Sequence, residues 1–459
     1  MIALITLFVT GLITLFVAFT RKPLLVGIIA TIGLIGGLFG LMYESRYGIR
    51  LFPDYHGLNF DTTAVMFSFI CIIFTTLLVW TGFKPLTENE NHAGDHIALM
   101  IFSLCGALIM TSFTDFFMFF LGLEILSIPV YVLAGMKKSD ALSSEASLKY
   151  FLTGSFATGI LLFGIAWIYG STGSFDLLEI KNAILNSTHN SSLLYVGVLL
   201  VLASFLFKIG AVPYHFWSPD VYAGSPATIM GFMASVVKIA AFAAILRLFT
   251  DTFDSISGVW GPLVLGVSVL SMFVGNLSAI KQTRVRRLLA YSSIAHVGYA
   301  LLAVVTFDSV ETTTYHYNVY YYLLAYGLAT IILITAENII NDESDDIENW
   351  VGIARKNPIL GLFIIMAILS LAGVPPMMGF FGKYLIFSQA IYDYPYIVAI
   401  ALLNSGIGIY YYLKLIVKVL RKPYEAPKFD KLIICSLQWI VLIISGVLLL
   451  IGGFLLLLF

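Results

Sequence analysis

Charge is scarce in this sequence: only 11% of its 459 residues are Asp, Glu, Lys or Arg, and they nearly cancel to a formal −1. No basic excess speaks for nucleic acid as a partner. Cysteine is scarcer still. Cys71, Cys105 and Cys435 lie in or beside apolar runs, with neither CxxC spacing nor a local histidine, which excludes a disulfide framework and gives no zinc or iron–sulfur motif. They are expected to act as small buried or lipid-facing hydrophobes. No Gly-rich nucleotide loop opens a βαβ unit, no metal-ligand cluster stands out, and no segment outside the apolar runs is large enough to hold a flavin. Any electron chemistry coupled to this chain therefore belongs to another subunit. The opening run 2–19 lacks the basic n-region and small-residue cleavage site of a signal peptide, so it is expected to stay as the first helix.

What is present is apolar. Hydrophobic residues make up 59% of the chain, with 36 Phe and 25 Tyr, and the mean hydropathy is +0.95. This is an integral membrane protein. A spanning helix needs about 20 mostly apolar residues, and segments near 2–20, 24–43, 62–83, 96–113, 115–135, 146–170, 193–222, 226–249, 257–280, 288–306, 317–340, 358–390, 394–420 and 434–457 qualify. The expected fold is an all-α polytopic membrane protein of about 14 transmembrane helices. Loops after the odd-numbered helices hold 15 Lys and Arg, those on the other side only Arg46, Arg50, Lys181 and Arg247. The basic excess marks the cytoplasmic face, which predicts both termini on the periplasmic side. The acidic run from Asp342 to Glu348 is expected to be a solvated loop.

Two segments are too long and too interrupted for simple helices: 193–222 contains Gly210 and Pro213, and 358–390 contains Gly373, Pro375 and Pro376. Proline removes a backbone donor and clashes with the preceding turn, so both should be broken. The breaks are five helices apart. Because five is odd, a repeat of helices four to eight by helices nine to thirteen must enter the membrane from the opposite face. Inverted repeats with discontinuous helices place ion sites near the midplane. The expected organisation is one membrane domain: three N-terminal helices over 1–95, inverted repeats over 96–249 and 257–420, and a last helix over 434–459.

Inside this apolar chain, Glu124, Lys208, Lys238 and Lys383 sit deep in predicted spans. A charge near the bilayer centre costs at least about 2.5 to 3.5 kcal/mol, so such residues face a protein interior or wet cavity and mark ion or proton pathways. Glu124, with Pro129 five residues on, is the acid nearest the middle of a span, and Lys208, just before the first break, is its candidate partner. The bland reading of that pair is a fixed salt bridge, although stability is a poor reason to bury ions. Lys238 is too deep in its helix to reach either interface, which suits a group that alternately holds and releases a proton. Lys383 follows the second break, where it could end a relay or simply satisfy carbonyls freed by the break. Lys149 and Lys414 lie nearer helix ends and can snorkel, so they are weaker candidates. His296 lies well inside a span and could shuttle protons, or hydrogen-bond a neighbouring hydroxyl. His215, Trp217 and Asp220, just past the first break, suggest a packed cap with a structural or gating role.

Five stretches together carry a family likeness: LGLEILSIPVYVLAG, EASLKYFLTGSFATGILLFG, FKIGAVPYHFWSPDVYAGSPATIMGFMASVVKIAAF, RRLLAYSSIAHVGY and LAGVPPMMGFFGKYLIF. From about Asp115 to Lys418 the chain resembles the antiporter-like membrane subunits of proton-pumping NADH:quinone oxidoreductase, respiratory complex I. SPATIMGFMASVVK, in place of a PTPVSALIHAATMV-like run, favours the subunit N branch over L and M. Lys383 agrees, where M usually has an acid, and the sequence lacks the long lateral-helix extension expected of L. The resemblance implies a proton relay in which Glu124 and Lys208 form a modulating pair, Lys238 is the central protonatable group, Lys383 lies toward the periplasmic exit, and Lys149 and His296 belong to the connecting polar axis. It implies no cofactor in this chain, flavin and iron–sulfur clusters in partner subunits, and other membrane subunits, neighbouring antiporter-like ones above all, as partners in a bacterial inner membrane. Quinone reduction elsewhere would drive protons and water-borne charge through this chain. A monovalent cation/proton antiporter subunit is the alternative, and a membrane scaffold whose buried charges only specify packing is a third.

Overall fold

In hydrocarbon a chain must satisfy its own backbone, and helices apolar on every face do so. The computed structural model describes residues 1–47, 56–88, 93–137, 139–186, 191–306, 312–340, 345–422 and 434–457. Single turns aside, its helices are α1 (Ile2–Ala18), α2 (Pro23–Tyr47), α3 (Thr62–Glu88), α4 (Ala93–Ser112), α5 (Phe116–Ala134), α6 (Ala141–Thr172), α7 (Leu177–Asn186), α8 (Ser192–Ile209), α9 (Trp217–Gly224), α10 (Ala227–Thr252), α11 (Ser257–Ile280), α12 (Val285–Val305), α13 (Thr312–Ile340), α14 (Pro358–Ala372), α15 (Met378–Ala390), α16 (Pro395–Leu420) and α17 (Ser436–Leu457). Twelve of the described helices are long and apolar enough to cross a membrane. The remaining crossings are α1 and the split pair α14 and α15, so all fourteen expected spans are present.

Local chemistry sets the helix starts. Asp115 caps α5 by accepting from the Met118 amide at 2.7 Å, and Asp140 and Ser191 do the same for α6 and α8. Asn357 caps α14, whose first residue is Pro358. Helix α7 was not foreseen: at ten residues it is too short to span, and it lies outside the bundle with Leu177, Ile180 and Ile184 turned inward.

Both broken helices stop in the same way. Gly210 ends α8 at φ 71° and Gly373 ends α14 at φ 78°, a left-handed conformation glycine adopts without strain. Ala211 and Val374 then donate back to Leu206 O and Leu369 O, which closes the helix ends with reverse-turn bonds. The chain re-enters helix at α9 and α15. These matched breaks, five crossings apart, are the signature of two five-helix repeats of opposite orientation.

The interior is built on α10, which is buried along nearly all of its length, and on α4, α12 and α13, buried over most of theirs. Helices α6 and α16 show one face inward and present Phe156 and Leu403 outward, as a lipid-facing ring should. The described parts of the loops after α1, α5, α11, α13 and α16 lie on one side and are rich in Lys and Arg, here the basic face. Arg50, Lys138, Lys428, Lys431 and residues 342–344 lie outside the described residues.

The solvated-loop expectation for the acidic run fails at Asp345, which is 5% exposed. Its carboxylate accepts the Arg286 amide at 3.0 Å, and the Arg286 guanidinium reaches Glu337 at 3.3 Å. Burial, followed by the nearby Glu337 carboxylate, pushes the Asp345 pKa up to about 8 against the pull of Arg286.

Away from the basic face, seven buried rings fill the space beyond Lys208. Phe113, Phe116, Phe119, Phe205, Phe249, Phe253 and Trp260 form one chain of contacts with centroids 4.9 to 6.5 Å apart. They come from the ends of α4, α8 and α10 and the starts of α5 and α11, which converge there.

Candidate functional site: a buried polar axis

Lys208 stands in the last turn of α8, 4% exposed, because the helix stops two residues later at Gly210. Its Nζ donates to Ser127 Oγ at 2.5 Å and lies 5.7 and 5.9 Å from the ring centres of Tyr131 and Tyr150. Those faces offer it cation–π contacts. Glu124 is one turn before Ser127 on α5 and accepts from Thr158 Oγ1 at 2.8 Å. Ser127 holds the ammonium, so no direct ion pair joins the two among the described residues. Trp217 closes the break by stacking on Tyr150 at 4.5 Å and donating to Phe207 O at 3.1 Å. Among the described residues Tyr150 Oη is buried here without a hydrogen-bond partner, a polar atom of the kind that holds ordered water.

Lys238 follows a π-helical turn, Met233–Val237, in the middle of α10 and is 3% exposed. Its Nζ bonds Ser293 Oγ and lies 3.5 Å from Ser293 O and 6.0 Å from the Tyr222 ring. Ser293 belongs to α12, where Ser292, His296 and Tyr299 recur at helical spacing on one face. His296 is the hub. Its Nδ1 meets Tyr322 Oη at 2.6 Å and its Nε2 meets Tyr412 Oη at 3.2 Å, and Tyr412 also bonds Ser292.

Lys383 on α15 turns back toward the end of α14. Its Nζ donates to Leu371 O, Ala372 O and Ser405 Oγ, each at 3.1 Å, and lies 5.0 Å from the Tyr299 ring. An ammonium suits the negative end of a helix whose last carbonyls are free. A Cβ on Gly373 would sit 2.9 Å from Lys383 Cδ, so the glycine makes room for the lysine. Asn276 on α11 donates to Tyr299 Oη at 3.2 Å and to Asn404 O at 3.0 Å, and accepts from Tyr411 Oη at 3.1 Å.

The structure thus brings Lys208, Lys238, His296 and Lys383 into one buried region crossing both repeats. Lys149 and Lys414 stand apart. Lys149 is half-exposed on the basic face, bonded to Glu145 at 2.6 Å and Asp220 at 2.8 Å, and Arg287 shares Asp220. Lys414 points outward from α16 beside a surface cavity. Sequence reasoning missed Tyr222, Ser293, Tyr299, Tyr322, Tyr412 and Asn276. The repeated polar positions on one face of α12 were the available signal. Among the described residues no group of three or more His, Cys, Asp and Glu gathers to hold a metal.

A buried amine, imidazole and hydroxyl axis across two inverted repeats with broken helices defines an antiporter-like membrane subunit. Residues 114–408 match the family model described as the NADH:quinone oxidoreductase/Mrp antiporter membrane region. The chain belongs to this family, in the branch of NADH-quinone oxidoreductase subunit N. It is 38% identical to that subunit from Cytophaga hutchinsonii, covering 90% of this chain and 89% of that one. The subunit from Trichlorobacter lovleyi is 35% identical over 88% and 82% of the two chains. Among solved structures, a chain of respiratory complex I from Thermus thermophilus with bound aureothin superposes with a TM-score of 0.83 at 31% identity, covering 99% of this chain and 97% of that one. A chain of the Mrp complex from a Dietzia species shares the fold, with a TM-score of 0.82 at 19% identity, covering 99% and 95%.

Proposed function

We propose that this chain is a proton-translocating membrane-arm subunit of an NADH:quinone oxidoreductase, driven by quinone reduction in other subunits. One observation carries the reading. Lys238 and Lys383, buried in an apolar bundle, face hydroxyls, carbonyls and tyrosine rings, and among the described residues no carboxylate pairs with either. Such partners serve both an ammonium, which donates, and a free amine, which also accepts from a hydroxyl. A fixed structural cation would need a counter-charge at this depth.

In this reading Lys208 is the control point. A charge change on Glu124, from a neighbouring subunit or a proton, alters the field at Lys208 and biases protonation of Lys238. The proton then passes by Ser293 and the His296 hub toward Lys383. Ser293 Oγ can take a proton on one lone pair while giving up its own, and His296 can do so through its two nitrogens. Lys149, with Asp220 and Arg287, collects protons at the basic face. That face is cytoplasmic by its excess of Lys and Arg, which puts both termini in the periplasm. In this reading the chain holds no cofactor, and the flavin and iron–sulfur clusters belong to partner subunits of a bacterial inner-membrane complex.

The test is Lys238→Met in the assembled complex, reconstituted into vesicles, with protons moved measured per NADH oxidised. A lowered ratio is expected. An unchanged ratio in a fully assembled complex overturns the relay.

A further inference from the structure

A cavity of about 320 Å³ opens on the basic face between the ends of α11 and α16 and the turn at 346–348, away from Lys208 and Lys238. Gln282, Thr283, Glu348, Lys414 and Lys418 form its outer wall, and Tyr411 its inner end. The spacing explains the shape. Tyr411, Lys414 and Lys418 lie on successive turns of one face of α16, so the cavity follows that helix inward for about 10 Å at 1.5 Å per residue. At the mouth Lys418 pairs with Glu348, leaving a carboxylate in contact with water.

Tyr411 belongs to two worlds. It lines the cavity, yet it is 2% exposed and its hydroxyl donates to Asn276 Oδ1 at 3.1 Å. The Asn276 amide is fixed on its other side by Tyr299 Oη and Asn404 O. An amide so held accepts a hydrogen bond but does not pass a proton on. The alternative acceptor is next door: the rings of Tyr411 and Tyr412 are 4.3 Å apart. Tyr412 in turn touches Ser292 and His296 Nε2.

We propose that this cavity is a proton inlet from the basic face into the second repeat, with Tyr411 as its gate and Asn276 as the residue that holds the gate shut. The inlet deepens the proton-translocation reading and rests on it. While Tyr411 donates to Asn276, its hydroxyl hydrogen is turned away from Tyr412. Rotation about its C–O bond redirects that donor. Tyr411 oxygen then takes a proton from cavity water as its own proton passes to Tyr412 oxygen, and the Tyr412 proton passes to His296 Nε2, with Nδ1–H directed at Tyr322. Both phenols end neutral and the imidazole gains the charge. The second repeat is thereby loaded without passing Lys208.

The test uses the whole complex in vesicles, reading protons moved per NADH oxidised. Tyr411→Phe keeps the ring against Tyr412 and removes the gating hydroxyl, so the ratio should fall. Asn276→Leu frees the hydroxyl, so the vesicles should instead leak protons without turnover. A merely structural role predicts no such opposite pair of effects. Thr283→Cys, assembled first and then labelled with a charged thiol reagent, should lose pumping on labelling and regain it with reductant, while labelled wild type does not change. If Tyr411→Phe fails to assemble, this labelling result decides. A normal ratio in both Tyr411→Phe and labelled Thr283→Cys, beside a lowered ratio in Lys238→Met, overturns the inlet and leaves translocation standing. A normal ratio in all three overturns translocation, and the inlet with it.

Discussion

Arg286→Met should loosen the junction between the two repeats on the basic face. The guanidinium sits between Glu337 and Asp345, 3% and 5% exposed, and donates to Ser225 O at 3.3 Å and Ala223 O at 3.5 Å at the joint of α9 and α10. Removing it leaves the negative charge shared by the buried Glu337 and Asp345 carboxyls with no cation facing it. Breaking a buried pair from one side costs about 3 to 5 kcal/mol, because the remaining charge has no compensation. At about 1.4 kcal/mol per factor of ten, that is two to three and a half decades in the population of intact junctions. Replacing the whole group with neutral residues should cost far less, since such replacements are often neutral. The assay is the half-life of quinone-dependent NADH oxidation on heating, with recovery of this chain in the purified complex. Arg286→Met should shorten the half-life sharply, and Arg286→Met with Glu337→Gln and Asp345→Asn should restore most of it. Arg286→Lys should fall between, because one ammonium cannot reach Glu337 and both backbone carbonyls together. A single mutant as durable as wild type, or a triple mutant no better than the single, refutes the reasoning.

Other outcomes follow from the same geometry. With its pKa raised to about 8, Asp345 keeps a proton in the fold that it sheds in the unfolded chain; folding then binds protons, so stability falls as pH rises from about 4 to about 8. Asp345→Asn, well suited to the φ of 54° there, should flatten the thermal-inactivation profile across that window; an unaltered slope contradicts the assignment. Gly373→Ala should cost about 1 to 2 kcal/mol of left-handed strain and also push Lys383 from its carbonyls, so pumping should fall further than in Gly210→Ala, where a Cβ meets nothing closer than 3.6 Å. Equal pumping in the two variants, measured in vesicles, counts against the role of Lys383.

The spans were legible because each is a long apolar run bounded by caps or breakers, and the two breaks because Gly and Pro occur together in them. The buried lysines were legible for the same reason: an ammonium among Phe, Leu and Ile stands out against its neighbours. What connects them was not. Tyr322 and Tyr412 look like any other aromatic in a chain with 25 tyrosines, and only packing reveals whose hydroxyl reaches His296. Sequence also pointed Lys208 straight at Glu124, whereas Ser127, one turn along α5, intervenes. Asp345 shows the reverse error, since an acidic run reads as solvated until packing buries one of its carboxyls against the Arg286 amide.

The cluster of seven rings beyond Lys208 has an electrical consequence. A dry plug of Phe and Trp has a low dielectric constant, whereas a path lined by lysines and hydroxyls is polarisable, so the membrane voltage falls mainly across the plug. In the first repeat, a proton on Lys208 or Lys238 is then electrically close to the basic face, although it is geometrically deep. Loading these residues does little work against the field. The work, about 2.3 kcal/mol per charge for each 100 mV, is done later, on the way past His296 and Lys383, and that is the stretch where voltage should slow the subunit.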